Sequence, residues 1–138
     1  MPETPLPHYR EVPYEKQTAK FSAGNRLQSI GWSFKGLVWF ASHTHAFWIQ
    51  GALSVAIMGF AATLPGMTST DWALLVLGAG LIFVTECLNT AIEIVVDRIS
   101  TEFHDLSGLA KDVAAGAVML AVTVALVIAA IVIVPKVG

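Results

Sequence analysis

Charge is scarce in this sequence. Eight basic and ten acidic residues make up 13% of 138 positions, hydrophobic residues make up 55%, and the mean hydropathy is +0.68, whereas a soluble domain is roughly 25% charged. A water-soluble globule is excluded, and one membrane-embedded domain built as a helical bundle is the class that remains. Cysteine is scarcer still. Cys87 stands alone inside an apolar run, so no intrachain disulfide and no CxxC metal or redox pair can form, and a packing role is expected. The first 25 residues lack the apolar core of roughly 7–15 residues that a cleavable signal peptide needs. Targeting is therefore expected to fall to the hydrophobic segments themselves. No stretch repeats another, and no GxxxxGK[ST] is present, which excludes a P-loop.

What is there is strongly segmented. Residues 1–17 hold four prolines among their first 13 positions and no apolar period, so a disordered tail is expected ahead of a membrane domain at 18–138. Over 18–41, Phe21, Leu27, Ile30, Phe34, Leu37 and Val38 recur at helical spacing among Lys, Arg, Gln and Ser. That pattern predicts an amphipathic helix lying in the membrane surface, with Gly24 and Gly36 as points where it could break. Three spans follow, at 46–64, 71–98 and 113–134. The first has 19 residues without a charge, within the ~17–25 that cross a ~30 Å hydrocarbon core. The turn "PGMTSTD" supplies Ser69 or Thr70 as a helix cap, and "STEFHDLSGLAKD" reads as a loop before the third span. Alanines at 117, 121, 125 and 129 form a small-residue stripe of the kind that lets membrane helices approach closely. Five of the eight basic residues lie in the first 35 positions, and Arg98 and Lys111 flank the second connection. The positive-inside rule then puts the N-terminus and that connection in the cytoplasm, with Lys136 as the exception.

One helix face carries the chemistry. With Glu86 set at 0° and ~100° per residue, Asn89 falls near ~300°, Glu93 near ~340° and Asp97 near ~20°. All four share one face of the second span. Glu86 lies about 22 Å along the helix from Asp71 at ~1.5 Å per residue, which is inside the hydrocarbon from either side. An acid at that depth costs about 2.5–3.5 kcal/mol, and the eight Leu, Ile, Phe and Val residues from Leu74 to Val84 return roughly 0.3–0.6 kcal/mol each. The span can bear one such carboxylate without gaining from it. Proton transfer, cation binding and pairing with a base are the available roles. Two carboxylates near a membrane surface suit Mg²⁺, which shares its oxygen shell with phosphates, and a deeper one suits proton removal from a hydroxyl. Lys111 and Asp112, read at the start of the third helix, fit a phosphate held by free N–H groups; Lys111 equally fits a positive-inside anchor. "LGAGL" at 77–81 lies mid-membrane and reads as a helix contact.

Residues 86–112, "ECLNTAIEIVVDRISTEFHDLSGLAKD", resemble the signature of the prokaryotic diacylglycerol kinase family, small integral-membrane lipid kinases that include undecaprenol kinases. The ExxNxAxExxxD pattern followed by EFH and AKD carries the resemblance, which extends from "GWSFKGL" through the third span. It implies an all-α membrane protein with three transmembrane helices and an N-terminal amphipathic surface helix, assembled as a homotrimer in a bacterial inner membrane. It also implies transfer of the γ-phosphate of MgATP to a lipid hydroxyl. Glu86 would be the general base and Glu93 a Mg²⁺ ligand. Glu93, Glu102, Phe103, His104, Lys111 and Asp112 would line the nucleotide site together with Trp32 and Arg26, and Asn89 and Asp97 would support it. Mg²⁺ and ATP are thus the expected cofactor and co-substrate, diacylglycerol or a polyprenol the lipid, and no nucleic-acid partner is expected.

The chain departs from the family at two places. Thr44 stands where the family has a second metal-binding Glu, and His43 and His45 flank it. The early basic residue is out of register, with Asn25 at its position and Arg26 next. "VDRISTEFHDLSG" is closer to diacylglycerol kinases than to undecaprenol kinases. Against the kinase stand a non-catalytic membrane scaffold, suggested by Thr44, and a small cation-conducting bundle, which leaves EFH and AKD unexplained.

Overall fold

A computed structural model describes the backbone of residues 23–99 and 104–137, and side chains from residue 28 onward within those ranges. The proline-rich tail at 1–17 lies outside the described residues. Four helices follow one another: α1 (Ala23–His43), α2 (His45–Ala62), α3 (Ser69–Ile99) and α4 (Asp105–Val137). The described residues contain no strand. α2, α3 and α4 are long and apolar enough to cross a membrane. α1 runs through Gly24 and Gly36 without a break, and its side chains Ile30, Phe34, Leu37 and Val38 are all exposed. They form the apolar stripe that an interfacial helix requires.

Packing divides the chain between Lys35 and Gly36. Within the first unit, the Lys35 ammonium lies 4.5 Å from the centre of the Trp32 ring. The second unit contains the three long helices. Thr44 alone separates α1 from α2; it is extended (φ −110°, ψ 112°), and its side chain makes no capping bond. Beside this joint, Phe47 meets Phe40 edge-on, at 5.6 Å between ring centres, and lies 5.3 Å from Phe83 of α3.

The turn between α2 and α3 begins with Pro65 and Gly66, the latter left-handed at φ 71°, a conformation glycine adopts without steric cost. Thr68 then caps α3, which corrects the expectation of Ser69 or Thr70. Its hydroxyl accepts the Asp71 N–H at 3.2 Å while the Asp71 carboxylate accepts the Thr68 N–H at 2.8 Å. This reciprocal pair satisfies two backbone donors that a helix start would otherwise leave open.

The core lies at this end of the bundle, where Ala61, Leu75 and Val132 are buried with Ile57, Trp72 and Ile128 against them. Antiparallel helices α3 and α4 pack along much of their length. On α4 the better-covered positions include Lys111, Ala114, Val118, Ala121, Ala125, Ile128 and Val132, the alternating three- and four-residue spacing of a helix seam. The two helices are in close contact at Gly78, where a Cβ would sit 3.4 Å from both Cα and Cβ of Ala125. "LGAGL" is thus a helix contact at Gly78, and one alanine of the stripe is its partner. Many other large apolar side chains, Val55, Leu77 and Leu120 among them, are exposed, as they must be on helices bathed in lipid.

Candidate functional site

The inward face of α3 changes character along its length. Leu75 and Gly78 are buried and Ile82 is half-buried; then comes Glu86, 8% exposed and the sole buried charged residue among those described. Asn89 and Glu93 are half-buried, and Asp97 is exposed. The four polar residues therefore form a gradient from the bundle interior to its rim. Asn89 donates its amide N–H to Glu93 Oε1 at 3.0 Å, as residues one turn apart on a helix can. The Asn89 oxygen is buried and has no partner, and such an atom calls for a donor or a cation. Across from Asp97, the Lys111 ammonium forms an ion pair with its carboxylate, their side chains 36% and 67% exposed.

Lys111 and Asp112 are not at a helix start, as the sequence pattern suggested. α4 begins at Asp105, so 105–112 is helix rather than loop. Its first-turn donors are taken locally: Ser107 and Gly108 give their N–H groups to the His104 carbonyl at 2.9 and 3.1 Å, and Leu106 gives its own to His104 Nδ1 at 3.2 Å. Lys111 offers its side chain, with no open helix end beside it. His104, which the family resemblance implies as a nucleotide residue, also caps α4. Glu102 and Phe103 lie outside the described residues, as does the side chain of Arg26.

Thr44 sits half-buried in the joint between α1 and α2. Its neighbour His43 stacks on Trp39 at 4.8 Å and places Nδ1 2.9 Å from the Trp39 carbonyl and 2.8 Å from Ser42 Oγ. A carbonyl only accepts, so Nδ1 is the donor in the contact with Trp39. No cluster of three or more His, Cys, Asp or Glu side chains forms among the described residues. The donor set is instead two hard oxygens one turn apart, the Glu93 carboxylate and the unpartnered Asn89 carbonyl. Such a set fits Mg²⁺, which needs one or two carboxylates and fills its octahedron with water and phosphate.

On the turn side of Glu86 an apolar groove with a cavity of about 60 Å³ opens between α2, α3 and α4, with Gln50, Ser54, Met58, Ile82, Ala125 and Leu126 among its walls. Ile82 lies one turn from Glu86, and Gln50 keeps a buried Oε1 without a partner. Gln50 was not singled out in the sequence, where it reads as one polar residue in an otherwise apolar span.

Three apolar helices with a carboxylate buried in their midst define a multi-pass helical membrane protein built around an internal acidic site. Residues 31–133 match the family model described as prokaryotic diacylglycerol kinase, and the chain belongs to that family. It is 36% identical to a diacylglycerol kinase of Escherichia coli (strain K12) over 107 residues, covering 73% of this chain and 82% of that protein. Over 114 residues it is 34% identical to a diacylglycerol kinase of Synechocystis, covering 82% and 65%. Over 90 residues it is 38% identical to an undecaprenol kinase of Bacillus subtilis (strain 168), covering 65% and 71%.

Proposed function

We propose that this lipid kinase transfers the γ-phosphate of MgATP to the hydroxyl of diacylglycerol, giving phosphatidic acid at the cytoplasmic face of a bacterial inner membrane. The observation that carries the reading is the order of features along one face of α3. An apolar groove is followed by a buried acid, then by a pair of oxygen donors, then at the rim by exposed Asp97, whose ion-pair partner is Lys111 of α4. A lipid tail, its hydroxyl and a polyphosphate need those features in that order.

In this reading the Glu86 carboxylate takes the proton from the lipid hydroxyl. The hydroxyl oxygen forms a bond to the γ-phosphorus while the bond from that phosphorus to the β,γ-bridging oxygen breaks and ADP leaves. Lys111 gives up Asp97 and faces the phosphates. Mg²⁺, held through Glu93 and the Asn89 oxygen, would neutralise charge on those phosphates. No hydrogen bond joins Thr44 to Glu93 among the described residues, and as a neutral hydroxyl Thr44 contributes to the metal through water. His104 and Asp112, with Glu102 and Phe103, complete the nucleotide site in this proposal. A homotrimer is part of it too: the buried Trp39 Nε1 and Gln50 Oε1 lack partners within the chain, and a neighbouring protomer can supply them.

Purified protein in lipid, given γ-labelled MgATP with diacylglycerol and with undecaprenol in parallel, tests the reading. Label on diacylglycerol, lost in Glu86→Gln, is the expected result. Label on undecaprenol alone would replace the substrate, and label on neither would sink the assignment.

A further inference from the structure

Helices α3 and α4 face a register problem that their apolar sequences do not solve. Gly78 meets Ala125 in close contact, yet alanine recurs on α4 at 117, 121, 125 and 129. Sliding α4 by four residues, about 6 Å at ~1.5 Å per residue, replaces alanine by alanine beneath Gly78. Lipid tails are as apolar as the seam, so burial does not choose between the two alignments. A directional contact must choose. The Lys111–Asp97 pair is too exposed to do so, since ion pairs in contact with solvent contribute little.

The end with the α2–α3 turn has what is required. Lys136 Nζ lies 2.9 Å from Asp71 Oδ2 and donates to the Gly66 carbonyl at 2.8 Å. Asp71 Oδ2 also accepts the Thr68 N–H and the Thr68 hydroxyl, each at 2.8 Å. The Lys136 and Asp71 side chains are only 19% and 17% exposed. The left-handed φ of 71° at Gly66 sets the course of the chain through the turn and with it the direction of the carbonyl. A shift of α4 by one turn would carry Lys136 about 6 Å from both acceptors, well beyond hydrogen-bond reach.

We propose that the Lys136 clasp on Asp71 and Gly66 sets the register of α4 against α3. Lys136 and Asp71 are then positioning residues. If the kinase reading above holds, they also decide that Lys111, rather than a residue one turn away, stands opposite Asp97.

Cysteine pairs read the register directly. In a Cys87→Ser background, Gly78→Cys is combined with Ala125→Cys, or with Ala121→Cys or Ala129→Cys for the slipped alignments. The first pair places its Cβ atoms near the ~3.5–4.5 Å of a disulfide, and with the clasp intact it alone should cross-link. Adding Lys136→Met should raise the slipped-to-native product ratio at least about fivefold, the factor that losing one such contact makes in an equilibrium constant. Lys136→Arg, which keeps the charge, should hold the native product. Should Lys136→Met fail to accumulate in the membrane, Asp71→Asn gives the same readout at almost unchanged volume. If these variants still cross-link only 78 to 125, packing alone sets the register and the proposal is overturned. Cross-linking needs neither nucleotide nor lipid substrate, so this outcome is independent of the kinase assay.

Discussion

The two ends of the α3–α4 pair carry the same chemistry in opposite settings. At the turn end, Asp71 meets Lys136 over the packed core of Ala61, Leu75 and Val132, with Gly66 and Thr68 completing the bonds. At the other end, Asp97 meets Lys111 with side chains 67% and 36% exposed. A carboxylate and an ammonium that share several bonds in one largely covered network hold a structure together. The same groups at an open rim, next to a buried acid and an unpartnered amide oxygen, remain able to exchange partners. The proposed function places ligand binding at the rim for that reason, and the proposed clasp places register control at the turn.

The contrast can be tested by substitution, and the largest effect should come from the interior of the gradient. Glu86→Gln removes the base while keeping shape, and turnover should fall about 10²–10⁴-fold with MgATP affinity nearly unchanged; turnover near the parent rate would remove Glu86 from the mechanism. Next, Lys111→Met should weaken MgATP binding about 10–100-fold, as the loss of a charge-assisted bond does. Its cost in thermal stability should stay below ~1 kcal/mol, because the Asp97 pair is exposed and screened. Lys136→Met should do the reverse, lowering the unfolding midpoint more than Lys111→Met does. Gly78→Leu forces side-chain atoms into the Ala125 backbone and should destabilise the helix pair by about 1–3 kcal/mol in a thermal melt; an unchanged midpoint would show that the close contact does not matter. The smallest change should follow Asp97→Asn, within ~1 kcal/mol of stability.

Much of this was legible in the sequence because lipid imposes simple rules. Long apolar runs gave the three spanning helices, and the helical period gave the polar face of α3, whose exposure rises from Glu86 to Asp97. The start of α4 was not legible. His104, Asp105 and Ser107 are polar and read as loop, although a helix that has left the hydrocarbon is free to be polar. The sign of a helix start was Asp105, an acid of the kind favoured in a first turn. The joint at Thr44 falls between the expected surface helix at 18–41 and the span from 46, but its shortness, a single residue, left no pattern to find. The Asp71–Lys136 clasp was half visible, since Lys136 was the one cation out of place and Asp71 the only acid in the turn it reaches. Joining them required the register of two helices, which a local pattern does not contain.

The central claim is that the open rim receives the nucleotide, and MgATP binding tests it without requiring turnover. Titrating MgATP into the parent protein, Glu86→Gln and Lys111→Met in lipid should give saturable binding to the first two and a loss of at least about tenfold in affinity in the third. Equal affinity in all three, or none in the parent, would contradict the account.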